Sequence, residues 1–455
     1  MFRDSTGAPA APPGGERPAP RPPGLRRVIR LRNAVALYVS SVLGSGILVL
    51  PGLTARLAGP GALLAWALLS VAAVPFALTF ATLSARRPES GGVYGFAKEG
   101  LGPGTAVGVG WLFALWQVTG VPAVALIAAD YVGYGFPLSR PETFVVGFAV
   151  VAAAFLVNYR GITLSSKVQL AVIGSIVALL VVVVVVSAQR VQPSNFQPFL
   201  PYGLLPVGTS AALIFWAMLG YENVSNVAEE FENPQRDFRR SVLLSVGIVG
   251  VLYFAVAFVT VGTGAYTSGG GLAPFAAILS DTFGRYAAGA TALIAVFIVF
   301  GVVNAYTTGM SRVALAVARD HGYPPALAHV SQGTQVPDRA MLTLFALAAV
   351  VFVGYYYANV SLTEALLVAS GAAITVYVLG CAAGARIFAR AGPAHRGALG
   401  LAVISLAIAL VVLPFIGWPL VVSGAVLLAG WAYWRLGATR TGLRPGPEGH
   451  RGALP

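Results

Sequence analysis

The chain carries very little charge. Only 10% of its 455 residues are Asp, Glu, Lys or Arg, while 57% are hydrophobic. That balance excludes a soluble globular domain of this length and leaves an all-α, multi-spanning membrane protein. There is one cysteine, Cys381, set in an apolar run, so no disulfide forms within the chain and none is expected to a partner. The four histidines, His321, His329, His395 and His450, fall in loops or the tail with no paired ligand spacing on a span. An H-E-x-x-H pair, a phosphate-binding loop and a nucleophile elbow are all missing. The expectation is a protein that is not an enzyme and that holds no metal and no cofactor.

Acidic residues are scarcer than basic ones, 16 against 29, for a net charge of +13. The basic residues lie in short clusters between apolar runs, without the continuous face that nucleic acid requires, so the partner they point to is the lipid bilayer. Residues 1–24, rich in Pro, Ala, Gly and Arg, have no apolar stretch that could serve as a signal peptide. Residues 1–32 and 437–455 therefore read as disordered cytoplasmic tails on a membrane domain over 33–436.

Within that domain apolar segments recur at about Ala34–Leu53, Ala62–Leu83, Gly104–Tyr134, Thr143–Asn158, Val168–Ser187, Leu204–Ala228, Val242–Gly262, Tyr286–Ala318, Met341–Tyr357, Leu362–Ala385, Ala398–Pro414 and Trp418–Trp434. Each is long enough to cross a hydrocarbon layer, giving about twelve spans with both termini on one side. With the termini inside, the outer loops hold only Arg56, Arg140, Arg190 and Arg285 of the 29 Lys and Arg, leaving 25 inside. The positive-inside bias thus places both termini in the cytoplasm. Tyr355–Tyr357 and the Trp431/Trp434 pair read as interfacial belts at opposite faces.

Two spans contain residues that a lipid-exposed helix tolerates poorly. The first holds Gly44-Ser45-Gly46, and glycine costs about 1 kcal/mol in a helix interior besides freeing backbone groups that lipid cannot satisfy. The sixth holds Phe215-Trp-Ala-Met-Leu-Gly-Tyr-Glu-Asn223, where Gly220, Glu222 and Asn223 interrupt an apolar run. Breaks five spans apart fit an inverted five-plus-five repeat, about 33–188 and 204–385, with two further helices over 398–434. A half-helix restarting near Ile47 would aim free N–H groups and a positive dipole end at a carboxylate. The same Gly-x-Gly spacing also fits a close helix-packing face. Carbonyls exposed by a half-helix ending near Leu219 would suit an ammonium group, so the two ends together fit a zwitterion. Trp216 fits either a gate over that ligand or ordinary packing. Glu222, an acid inside a span, fits a proton-responsive switch or a helix-organising hydrogen bond. Asp130 lies toward the outer surface and reads as vestibule lining, while Lys167 reads as snorkelling from the inner end of span five.

Leu43-Gly-Ser-Gly-Ile47 with Pro51, the Phe215–Glu222 stretch, Glu230-Phe-Glu-Asn-Pro-Gln-Arg-Asp-Phe-Arg239 and Ser311–Pro325 occur in this order over about 280 residues. In these four motifs the chain resembles the amino acid–polyamine–organocation (APC) superfamily of secondary transporters, and within it the bacterial neutral amino-acid exporters. The resemblance implies the LeuT-like fold with discontinuous helices one and six. It implies a substrate site at Ser41, Gly44, Ser45, Gly46 and Ile47 in span one and at Trp216, Ala217, Leu219 and Gly220 in span six. Trp116, Gln117 and Gly120 in span three and Tyr306 in span eight complete it, with Trp216 as gate and Glu222 as coupling acid. Proton-linked relatives carry a lysine in span five where this chain has Ile176, and Phe300–Asn304 offers no hydroxyl pair for sodium. The function implied is transport of neutral, apolar amino acids across a bacterial inner membrane by alternating access, as a proton-linked monomer or homodimer. An importer or exchanger of broader or cationic/polyamine specificity, and an amino-acid receptor without flux, remain alternatives.

Overall fold

The computed structural model describes residues 31–86, 92–161, 166–220, 234–267 and 271–440. Fifteen α-helices and no strand occur among the described residues: α1 (Leu31–Val42), α2 (Leu50–Ala58), α3 (Ala62–Arg86), α4 (Gly92–Leu101), α5 (Pro103–Gly135), α6 (Arg140–Tyr159), α7 (Ser166–Ser187), α8 (Leu205–Ala217), α9 (Pro234–Gly262), α10 (Pro274–Phe283), α11 (Tyr286–Arg319), α12 (Asp338–Tyr357), α13 (Leu362–Arg390), α14 (Arg396–Val412) and α15 (Pro419–Arg440). Ten stretches of helix among the described residues are long and apolar enough to cross a membrane. The two predicted spans without an unbroken helix are the first and the sixth, the two marked by glycine in the sequence. Span one is split into α1 and α2, and α8, with 13 residues, is the shorter apolar helix of span six. The short helices α4 and α10 follow spans two and seven, at the same five-span interval as the breaks.

The core is built around α5. Its apolar residues have no preferred side, as expected of a helix enclosed by others, and 89% of its most apolar window is buried against 28% for α6 and α12. It packs on α4, α6, α11, α12, α13 and α15. Glycines on α5 let these neighbours come close: a Cβ at Gly108 would stand 2.6 Å from Leu427 Cδ1, and one at Gly104 would stand 2.8 Å from Trp434. Trp434 thus packs into the bundle. Of the predicted tyrosine belt, Tyr357 is exposed as expected but Tyr355 is not. Its ring turns inward, and its hydroxyl reaches the Thr119 carbonyl at 3.4 Å.

Chain turns are fixed by local hydrogen bonds. At the start of α13 the Ser361 N–H donates to Glu364 Oε2 at 2.9 Å and the Glu364 N–H to Ser361 Oγ at 3.2 Å, which satisfies two of the helix's orphan donors. The turn after α11 is stitched to α4 and α5. Tyr94 donates to Asp320 Oδ2 at 2.9 Å and Lys98 Nζ to the same oxygen at 2.7 Å. Trp111 Nε1 donates to the Gly322 carbonyl at 3.0 Å, and the Tyr323 hydroxyl to the Gly110 carbonyl at 2.6 Å. Burial, and then the neighbouring Asp320 charge, push the Tyr94 hydroxyl well above its ordinary pKa, so it remains a donor.

The two bonds to Asp320 differ in worth because Tyr94 is buried and Lys98 is half exposed. Tyr94→Phe is expected to cost about 1–3 kcal/mol and Lys98→Ala less than about 1 kcal/mol. Thermal melting of the two purified variants checks this, and a larger loss from Lys98→Ala would show that the ion pair dominates.

Candidate functional site

Helix α1 ends at Val42, and Gly44 continues in extended backbone at φ −105° and ψ 178°. A 3-10 turn over Ser45–Leu48 follows, and the α-helix resumes at Leu50. The predicted restart near Ile47 is therefore a 3-10 turn, and α2 begins three residues later. Pro51 gives the reason: its fixed φ suits the first turn of an α-helix, where its missing N–H is not needed. The first amides of the new turn have no upstream carbonyl in the helix to bond. The carbonyls on either side are met by protein. Tyr253 of α9 donates to Val42 O at 3.1 Å, and Tyr131 of α5 donates to Leu48 O at 2.6 Å. Ser45 is buried with its Oγ unpartnered. Ser41 sits in the last turn of α1, and its side chain lies outside the described residues.

The second break begins where α8 ends at Ala217. The Met218 N–H bonds Phe215 O at 3.0 Å and the Leu219 N–H bonds Trp216 O at 3.4 Å. Gly220 has φ +120°, a conformation that glycine alone adopts readily. Glu222 lies outside the described residues.

Trp216 joins the two breaks. A Cβ at Gly46 would stand 2.9 Å from Trp216 Cδ1, and a Cβ at Gly120 would stand 2.6 Å from Trp216 Cη2. The indole therefore lies in a slot between the first break and α5, one that only two glycines leave open. Trp116 and Tyr306 complete a triangle with it: ring centroids are 6.2 Å apart for Trp116 and Trp216, 6.3 Å for Trp116 and Tyr306, and 6.4 Å for Trp216 and Tyr306.

Beside this triangle is a cavity lined by Trp116, Gln117, Gly120, Val121, Val124, Trp216, Val303 and Tyr306. The structure thus brings together all the predicted positions of spans three and eight with Trp216. The cavity has room for about one water. Gly44, Ser45, Gly46, Ile47, Ala217, Leu219 and Gly220 do not line it; span one meets it only through Gly46 against Trp216. Val121 and Val124 were missed although they follow Gln117 at helical spacing, and Val303 precedes Tyr306 by one turn. Trp116 Nε1 and Gln117 Oε1 are buried without hydrogen-bond partners.

Ile176 is buried and Lys167 is exposed at the start of α7; Asp130 is half-buried in the last two turns of α5. A polar cluster that sequence did not signal joins α6 to α11. Asn158 Nδ2 donates to Asn304 Oδ1 at 2.7 Å and to Ala154 O at 2.8 Å, and the Thr308 hydroxyl donates to Asn158 Oδ1 and to Asn304 O at 2.9 Å. With its groups mutually bonded, this cluster fastens two helices. No group of three or more His, Cys, Asp or Glu side chains that could hold a metal ion occurs among the described residues.

Comparison with known proteins gives a consistent picture. The sequence profile of the family described as "Amino acid permease" matches residues 29–437. The uncharacterized amino acid permease YecA of Bacillus subtilis (strain 168) is 32% identical over 91% of this chain and 96% of its own length. The L-methionine/branched-chain amino acid exporter YjeH of Escherichia coli (strain K12) is 28% identical over 90% of this chain and 96% of its own. The branched-chain amino acid permease BcaP of Bacillus subtilis (strain 168) is 29% identical over 69% of this chain and 71% of its own.

If the glycine slot is set by the indole, Gly120→Ala and Trp216→Leu interact. Gly120→Ala alone is expected to cost about 1–3 kcal/mol by overpacking. Together the two changes should cost at least about 1 kcal/mol less than the sum of each alone. Additive losses in melting experiments would show that Trp216 does not define the slot.

Proposed function

The chain belongs to the amino acid permease family of transporters, and from that premise we propose that it moves neutral, apolar amino acids across a bacterial inner membrane by alternating access. The substrate carboxylate is taken by the free amides at Ser45–Ile47 and its ammonium by the carbonyls at the end of α8 around Ala217–Gly220. A helix end supplies partial charge of the needed sign at each place without any basic or acidic side chain. The equal interval separating the two breaks and the helices α4 and α10 supports an inverted repeat with this clamp at its centre.

The observation that carries the reading is the position of Trp216. Its indole holds the space between Gly46 and Gly120, and the cavity beside it has room for about one water. A zwitterion can reach the amides of the first break only if the indole moves, so Trp216 acts as the gate. The cavity walls are aromatic rings, valines and one amide, with no charged side chain. They favour a neutral, apolar substrate over a dibasic one, whose second charge would go unpaired. Two relatives, an L-methionine/branched-chain exporter and a branched-chain permease, point the same way. The basic residues of the loops favour cytoplasmic termini. Glu222, the acid at the second break, is the group through which a proton gradient would act, in the direction of export.

In vesicles preloaded with leucine, uptake of labelled leucine or methionine is expected. Leucine should compete at least about tenfold better than isopentylamine, which lacks the carboxylate, or N-acetyl-leucine, which lacks the ammonium. Uptake of arginine or a polyamine with no counterflow of leucine or methionine would overturn the reading. Glu222→Gln is expected to flatten the dependence of transport on an imposed pH gradient, and a Gln variant with the full response would make the acid structural.

A further inference from the structure

Gln117 faces more than the cavity beside Trp216. A second void, about twice the size of the first, lies behind it, bounded by α5, α6, α11 and α12. Gln117 and Val121 line both voids and form the partition between them. The far wall is apolar: Phe155, Met341, Leu344 and Phe345 contribute to it, and the Phe155 and Phe345 rings stack at 4.1 Å and 16°. Thr307, the other polar residue there, donates its hydroxyl to Val303 O at 2.8 Å. The amide of Gln117 is different. The residue is 6% exposed, and its Oε1 has no partner.

Three physical points converge on this partition. A buried acceptor without a partner is destabilising, and that cost is recovered when a donor arrives. An apolar void of this kind gains nothing from water, which needs two to four polar partners, but accepts hydrocarbon. The cavity beside Trp216 is too small for an aliphatic side chain in addition to a clamped ammonium and carboxylate. On the reading given above for the two breaks, we propose that the void behind Gln117 is the subsite for the substrate's aliphatic side chain, with Gln117 as the specificity-determining residue on its threshold. The Gln117 amide turns to accept from the substrate ammonium, which joins the two voids, and the side chain passes Val121 toward Met341 and Leu344. Met341 is unbranched and adapts its shape to what enters. The void is about twice the size of the one-water cavity beside Trp216, and the ligands suited to it are short aliphatic and thioether side chains.

The test uses the full-length protein in vesicles and compares the Michaelis constants of alanine, leucine, methionine and phenylalanine in counterflow. Ala348→Leu places bulk in the second void, where Ala348 is buried. It is expected to raise the leucine and methionine constants at least about tenfold relative to alanine, whose side chain ends short of the void. Phe345→Ala opens the far wall and is expected to move phenylalanine the opposite way, improving it about tenfold relative to leucine. Opposite shifts in the two variants support the subsite. If both variants scale all four substrates alike, the subsite is overturned while amino-acid transport stands. If wild-type vesicles show counterflow of no amino acid, the transport reading and the subsite fall together. A substrate order that follows the acyl-chain length of the vesicle lipid and ignores both substitutions would assign the void to a lipid tail and overturn the proposal.

Discussion

A broken helix inside a membrane is possible only if something takes up the backbone groups that the break releases. Here that task falls to two tyrosines from other spans, Tyr253 on Val42 O and Tyr131 on Leu48 O. Each hydroxyl replaces a helical N–H as donor, one on each side of Gly44–Gly46. Two flanking carbonyls are thereby satisfied within the protein, while the first amides of the turn have no upstream carbonyl in the helix.

The same economy places Trp216. An indole between two closely approaching backbones needs glycine on both sides, and Gly46 and Gly120 provide it from spans that are about 75 residues apart in the chain. Trp116 and Tyr306 then pack their rings around it. Spans one, three, six and eight thus meet through aromatic contact, and the shape of the cavity follows the position of one side chain.

How much of this was legible in the sequence depends on range. Gly44-Ser45-Gly46 and Gly220 are punctuation within single spans, so both breaks could be read directly. Pro51 also stands in the sequence, yet its effect on where α2 starts depends on a 3-10 turn that periodicity does not reveal. The meeting of Trp116, Gln117 and Gly120 with Tyr306 came from family resemblance, because no local pattern relates positions nearly 190 residues apart. Val121 and Val124 could have been added by helical spacing alone. Tyr131 and Tyr253 could not, since a tyrosine in an apolar run looks the same whether its hydroxyl caps a carbonyl or faces a headgroup. Tyr355 shows the converse: placed in the belt by its neighbours, it turns inward because the Thr119 carbonyl is within reach.

The stitched turn after α11 has a mechanical consequence. Asp320, Gly322 and Tyr323 bind the end of span eight to α4 and to the start of span three, and the Asn158–Asn304–Thr308 cluster binds span eight to span four. Spans three, four and eight are in this way riveted into one frame at two heights. The end of span six lies outside these rivets, and span one is joined to the frame through Tyr131 on Leu48 O. The glycine slot, where the Trp216 indole lies between Gly46 of span one and Gly120 of span three, is where the end of span six meets this frame.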